Sequence, residues 1–145
     1  MQYDQPIMTH EPDRGSGVVT GLPMWLLRIE GLTVLVLTVT LYWRDADSWL
    51  LFLVVLLAPD VGLLGLLAGQ RFGSATYNLT HTYGPPVVLG LVGVLADAES
   101  VVSIALVWAA HIGMDRAVGL GLQYPDRPGH THLSIGRRRR SQADG

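Results

Sequence analysis

Long apolar runs alternate with short polar interruptions along this chain, and four of the runs are about as long as a bilayer is thick. They cover about 22–43, 48–69, 75–96 and 101–124. A spanning helix needs about 20 predominantly apolar residues, because the hydrocarbon core is roughly 30 Å thick and an α-helix rises about 1.5 Å per residue. The charges between and within these runs do not recur every turn, as they would on a soluble amphipathic helix. The pattern predicts an all-α fold, a four-helix transmembrane bundle. The joints at 44–47, 70–74 and 97–100 are short, which makes the bundle up-and-down.

The runs divide the chain into a tail at 1–20, a four-span domain at 21–136 and a basic tail at 137–145. The first tail lacks the basic start and short apolar core of a cleaved signal peptide, so the first run reads as a retained anchor. Trp25, Trp43, Trp49 and Tyr124 stand near the ends of runs, where amphipathic rings favour the headgroup zone. An even number of spans puts both tails on one side. Arg14, Arg71, Arg127 and Arg137 to Arg140 fall on that side and only Arg44 on the other, so retention of basic residues inside places both termini in the cytoplasm. The expected location is the plasma membrane, multi-pass, with the lipid bilayer as partner.

Composition narrows the chemistry. Only 15% of the residues are charged, and all ten basic residues are arginine. There is no cysteine, which excludes disulfides and thiolate metal ligation. A formal charge of −2 argues against nucleic acid as a partner, and the Arg137–Arg140 run reads as a stop signal drawn to anionic lipid. No glycine-rich nucleotide loop or G-x-S-x-G elbow occurs in a strand-to-helix context. Asn78-Leu79-Thr80 matches a glycosylation acceptor, but inside a predicted span near the cytoplasmic face.

The candidate chemistry lies inside the runs. Ionisable groups there cost roughly 2.5 to 3.5 kcal/mol at the bilayer centre, so they should face one another. Counted from the cytoplasmic side, Glu30, Asp60, His81, His111 and Asp115 all lie roughly 9 to 20 Å deep. His111 and Asp115 are four apart, and Asn78 and His81 three apart, so each pair shares a helix face. Imidazole nitrogens and carboxylate oxygens are what zinc or manganese needs when thiolates are absent. Asp60, His81, His111 and Asp115 are the candidate ligands, and His132 in G-H-T-H-L-S-I-G could fold back with His130 over the site. Glu30 is the spare carboxylate, a candidate catalytic base toward a metal-bound water. Asn78, Tyr77 and Arg116 complete the polar set.

For any one of these residues, hydrogen bonding between helices is the simpler role. On the fourth run, Ala105, Ala109, Gly113, Ala117 and Gly121 form a small-residue ridge roughly opposite the His111/Asp115 face, suited to close packing. Gly65 and Gly69 do the same on the second. Two functions fit: a metal-dependent membrane hydrolase acting on a lipid-like substrate, or a non-enzymatic membrane protein such as a small transporter, a proton-binding bundle or a structural partner. Breaks at Pro59 and Pro85-Pro86 favour transport.

The stretches L-L-R-I-E-G, L-L-A-P-D-V-G-L-L-G-L-L-A-G, Y-N-L-T-H-T-Y-G-P-P and W-A-A-H-I-G-M-D-R-A-V-G-L-G-L-Q-Y-P, with T-H-L-S, resemble the small bacterial and archaeal membrane proteins grouped as domain of unknown function 4260. The similarity covers about 26–136 and implies a four-helix membrane domain without a known activity. Leu120 departs from it, standing where an aromatic is expected. A looser similarity of pattern links the chain to membrane-bound metal-dependent hydrolases.

Overall fold

The computed structural model describes residues 17–45, 48–126 and 129–133. The predicted tails, with Arg14 and the Arg137–Arg140 run, and Arg127 therefore lie outside the described residues. The described chain is helical: α1 (Leu22–Asp45), α2 (Trp49–Leu57), a 3-10 segment (Ala58–Ala68), α3 (Gln70–Thr80), α4 (Gly84–Leu95) and α5 (Glu99–Val118). No strand occurs among the described residues beyond an isolated antiparallel bridge, Gln123 to Thr131.

Three stretches, Gly21–Arg44, Trp49–Ala68 and Glu99–Val118, are long and apolar enough to cross a membrane. They match the first, second and fourth predicted runs. Their surfaces are apolar: Leu32, Val36 and Leu37 of α1 and Leu50, Leu53 and Val54 of α2 are exposed. The buried apolar core is small, built on Tyr42, Phe52 and Val107. Trp43 stacks edge-on to Trp49 at the turn between α1 and α2, with ring centroids 4.8 Å apart.

The third run is broken near the Pro85-Pro86 pair, as the prolines suggest, but completely, into two helices. Instead of one helix over 75–96, α3 ends at Thr80 and α4 begins at Gly84, leaving His81, Thr82 and Tyr83 in the break. Pro85 and Pro86 are the cause. They carry no N–H to continue the ladder of α3, but fit the first turn of a new helix, where those N–H groups have no partner anyway. The 3-10 geometry has a similar origin at Pro59. Its missing donor leaves the Val55 carbonyl to Ala58, which takes it in an i to i+3 bond, and the tighter winding continues to Ala68. The fourth run is also shorter than expected, because Gly119 adopts the left-handed conformation that ends α5.

Helix α5 is the centre, with α1, α4 and α2 packed on it, while α3 folds back antiparallel on the 3-10 segment through Gly69 at φ +113°. Of the predicted small-residue ridge, Gly113 and Ala117 meet α1, whereas Ala105 faces Gly90 of α4 and Gly121 lies past the end of α5. A Cβ on Gly113 would stand 2.7 Å from the Gly31 carbonyl oxygen, and one on Gly31 would stand 2.8 Å from that of Gly113. Arg28 closes the same end, donating to the Ala117 carbonyl at 3.0 Å and the Val118 carbonyl at 2.9 Å, the open acceptors at the C-terminus of α5.

Residues 120–126 and 129–133 turn back over the end of the bundle. Asn78 brackets Gln123, its amide donating to the Gln123 carbonyl at 2.9 Å and its oxygen accepting the Gln123 N–H at 2.7 Å. The Val19 N–H donates to the His132 carbonyl at 2.8 Å, and the Tyr124 hydroxyl to the Gly17 carbonyl at 2.9 Å. Leu133 is fully buried under this cap.

Candidate metal centre

Two interruptions of regular helix converge on the continuous helix α5. His81 stands at the C-cap of α3, Asp60 near the start of the 3-10 segment, and His111 and Asp115 one turn apart on α5. The His81 and His111 Nε2 atoms are 3.0 Å apart, and the Asp60 Oδ1 is 3.6 Å from each. Asp115 Oδ2 lies 3.4 Å from His81 Nε2 and 3.7 Å from His111 Nε2. Among the described residues, Asp60, His81 and His111 each offer a ligand atom to one point, all within 4.8 Å of one another.

These separations are informative because most are not hydrogen bonds. The carboxylate to imidazole contacts, at 3.4 to 3.7 Å, are ion-pair distances beyond the usual N–H···O range of about 2.7 to 3.2 Å. Ligands held at about 2.0 to 2.1 Å around a tetrahedral ion are instead separated by edges of about 3.3 Å. The Asp60–His81–His111 triangle, with sides of 3.0, 3.6 and 3.6 Å, is of that size.

The surroundings fix how the imidazoles face. His81 Nδ1 lies 2.9 Å from the Tyr77 carbonyl, which can only accept, so Nδ1 carries the proton and Nε2 presents a lone pair to the centre. The Tyr77 ring stacks on that imidazole with centroids 3.7 Å apart, and its hydroxyl donates to Asp115 Oδ2 at 3.4 Å. The Thr80 hydroxyl also meets His81 Nδ1, at 2.9 Å, and the Trp108 indole donates to the Thr80 carbonyl at 2.7 Å. Trp108 and Thr80 did not emerge from the sequence. The available signal was spacing, since Trp108 is three residues before His111 and shares its face.

Burial is uneven. The side chains of His81 and His111 are 3% and 2% exposed, while that of Asp60 is 45% exposed, so the cluster opens on its Asp60 side. Beside that stretch, a groove of about 520 Å³ is lined by Val55, Ala58, Pro59, Val61, Ile104 and Trp108 among others.

Several predicted residues take other places. Glu30 is exposed on α1, which packs on α5 through Gly113, a different flank from that of His111 and Asp115. Arg116 lies over the Tyr83 ring, 4.5 Å from its centroid. Asn78 holds the cap. His132 belongs to the cap as well, its Nδ1 accepting the Leu122 N–H at 2.9 Å, with burial holding its pKa below the ordinary histidine value. His130 pairs with Asp126 at 2.7 Å.

A helical chain with apolar spans and an inward His/Asp cluster defines a class of membrane-compatible protein with a polar centre. Its family is defined too. The chain belongs to the family described as Domain of unknown function (DUF4260), whose pattern matches residues 24–135. No curated protein and no solved structure matches it.

Proposed function

We propose that this chain is a multi-pass membrane protein, with four passes and both termini cytoplasmic, that holds one divalent transition-metal ion between Asp60, His81 and His111. The observation that carries this reading is the triangle of ligand atoms around two imidazole nitrogens 3.0 Å apart. Energetics support it. A half-exposed carboxylate within an apolar span is costly as a free ion, and a shared cation removes that cost.

The chemistry we assign is metal-dependent hydrolysis of a lipid-like substrate. When bound, zinc or manganese with an open coordination position supplies a water acidic enough to be a nucleophile near neutral pH. His81 and His111 orient the site, and Asp60 lies on its open side. Asp115, held by the Tyr77 hydroxyl and facing both imidazoles, is the carboxylate assigned to accept a proton, the role expected of Glu30 from sequence.

The test is metal analysis of the full chain purified in detergent. We expect about one zinc or manganese per chain, lost in His111→Ala and retained in Asp115→Asn. A preparation that is metal-free and gains no thermal stability from added zinc or manganese removes the metal reading and leaves the non-enzymatic alternative, a proton-binding bundle built on the same histidine pair.

A further inference from the structure

We propose that the His/Asp cluster is entered sideways from the hydrocarbon of the bilayer, and that its ligand is an amphiphile carrying a metal-binding polar group on a single apolar chain. This deepens the metal reading above and rests on it for what the polar group binds. The side entrance itself stands on separate observations.

The first observation is which face is open. In a 3-10 helix, residues three apart eclipse one another, so Asp60 stands in one row with Leu63, and Leu57, the last residue of α2, lies one turn before it on nearly the same side. Leu57 is 64% and Leu63 37% exposed, and Val61 beside them is exposed as well. The accessible ligand is thus framed by apolar side chains. It also lies inside Trp49–Ala68, eight residues from the nearer end, or roughly 12 to 16 Å at the rise of an α- or 3-10 helix. A face of that composition at that depth meets acyl chains, not water.

The second observation is what closes the end of the bundle. The 120–133 cap is pinned to α3 by Asn78 and, at longer range, by Ser74, whose hydroxyl donates to the Tyr124 carbonyl at 3.4 Å. Residues 17–19 add the two further bonds that hold it in place. His81 and His111 are themselves buried and Asp60 is the exposed member of the cluster, so the approach left open is on the Asp60 side.

The third is the groove beside the entrance. Pro59, Val61 and Gly62, the neighbours of Asp60 in sequence, line it. Its polar groups are turned inward: the Thr76 hydroxyl lies 2.8 Å from the Gly62 carbonyl, the Thr80 hydroxyl 3.0 Å from the Tyr77 carbonyl, and the Trp108 indole N–H donates to Thr80. A groove with its donors already engaged accepts an apolar body. Its volume of about 520 Å³ falls in the range of about 300 to 1,000 Å³ usual for one small ligand.

The chain has no cysteine, so a single introduced thiol is unique. The test places a nitroxide at Leu57→Cys or Leu63→Cys in the full chain reconstituted in bilayers, with Pro125→Cys in the cap as a water-facing reference. Collisions with oxygen and with a water-soluble nickel chelate are compared. We expect the first two labels to relax several-fold more with oxygen than with nickel, and the reference to show the reverse. Preferential relaxation by nickel at both span positions overturns the lateral entrance.

A second measurement addresses the ligand. Cobalt-loaded protein is titrated with acetyl, hexanoyl and dodecanoyl hydroxamates, with concentrations in the bilayer corrected for partitioning. The dodecanoyl compound should change the cobalt absorption at least 100-fold below the acetyl one, and equal potency after correction overturns the amphiphile. If the protein takes up no metal, the function proposed above fails, and the nitroxide result still decides the entrance.

Discussion

Two of the close helix approaches in this molecule differ in what they present, and only one of them brings candidate ligands together. Between α1 and α5, Gly31 and Gly113 bring two continuous α-helices together, and the surface so formed is packing plus the Arg28 cap. Between the 3-10 segment and α3, Gly62 and Gly65 do the same against Thr76 and Thr80. There the partners are a tightly wound segment and a helix about to end, and the irregular backbone presents Asp60 and His81 to α5. Close approach by small residues is general in membrane helices. The difference between the pairs shows that the interruptions, not the approach, supply a site.

The sharpest way to break the comparison is a large residue in each pair. Gly62→Leu should drive a side chain into Thr80 and the Tyr77 backbone, next to His81, and lower metal affinity by at least 100-fold, read by competition with a chromophoric chelator. Gly113→Leu should instead cost about 1 to 3 kcal/mol of stability from overpacking, with one ion per chain retained. Equal loss of metal in both variants would erase the distinction.

How far this was legible beforehand depended on what residue counting measures. Depth along a helix follows from sequence, so Asp60, His81, His111 and Asp115 could be placed in one layer before any coordinates. Direction around the helix follows only when a second residue marks the face. His111 and Asp115, four apart, supply that mark for each other. Glu30 has none: it is at a suitable depth, but about 100° from Gly31, the position by which α1 packs on α5. The break in the third run was legible in Pro85 and Pro86, but not its position: it falls at 81–83, just before the prolines, so that His81 itself lies in it. His132 was legible as a histidine that folds back but not as a member of the cap, since Leu122 and Val19, its backbone partners, carry no sequence signal.

A smaller effect sharpens the site side of the comparison. Trp108→Phe keeps the ring in place but removes the donor to Thr80, whose hydroxyl meets His81 Nδ1. Residues that orient a metal-binding histidine typically contribute 10- to 100-fold in affinity. We expect the low end, about 10-fold, with unchanged stoichiometry and a measurable shift in the cobalt spectrum.

The smallest effect concerns the cap. His132 has its folded-state pKa lowered, chiefly by burial, so the unfolded chain binds the proton more readily than the folded one. The stabilising contribution is complete above the unfolded value, about 6.5, and is lost as pH falls through the lower folded value. Amide exchange across 122–133 should therefore quicken on acidification below about 6.5, after correction for the intrinsic rate. His132→Gln should flatten that dependence and leave exchange in α1 unchanged.

The Arg28 cap also imposes an order in time. Arg28 leaves the ribosome with the first helix, yet the carbonyls it serves, at Ala117 and Val118, are made 89 and 90 residues later. Val19 and Gly17 likewise await His132 and Tyr124. Asp60 and His81 are likewise made before His111 exists, so under the proposed function an ion met during translation would find an incomplete set of ligands. The full set belongs to the finished chain, after its last helix has turned back to meet its first.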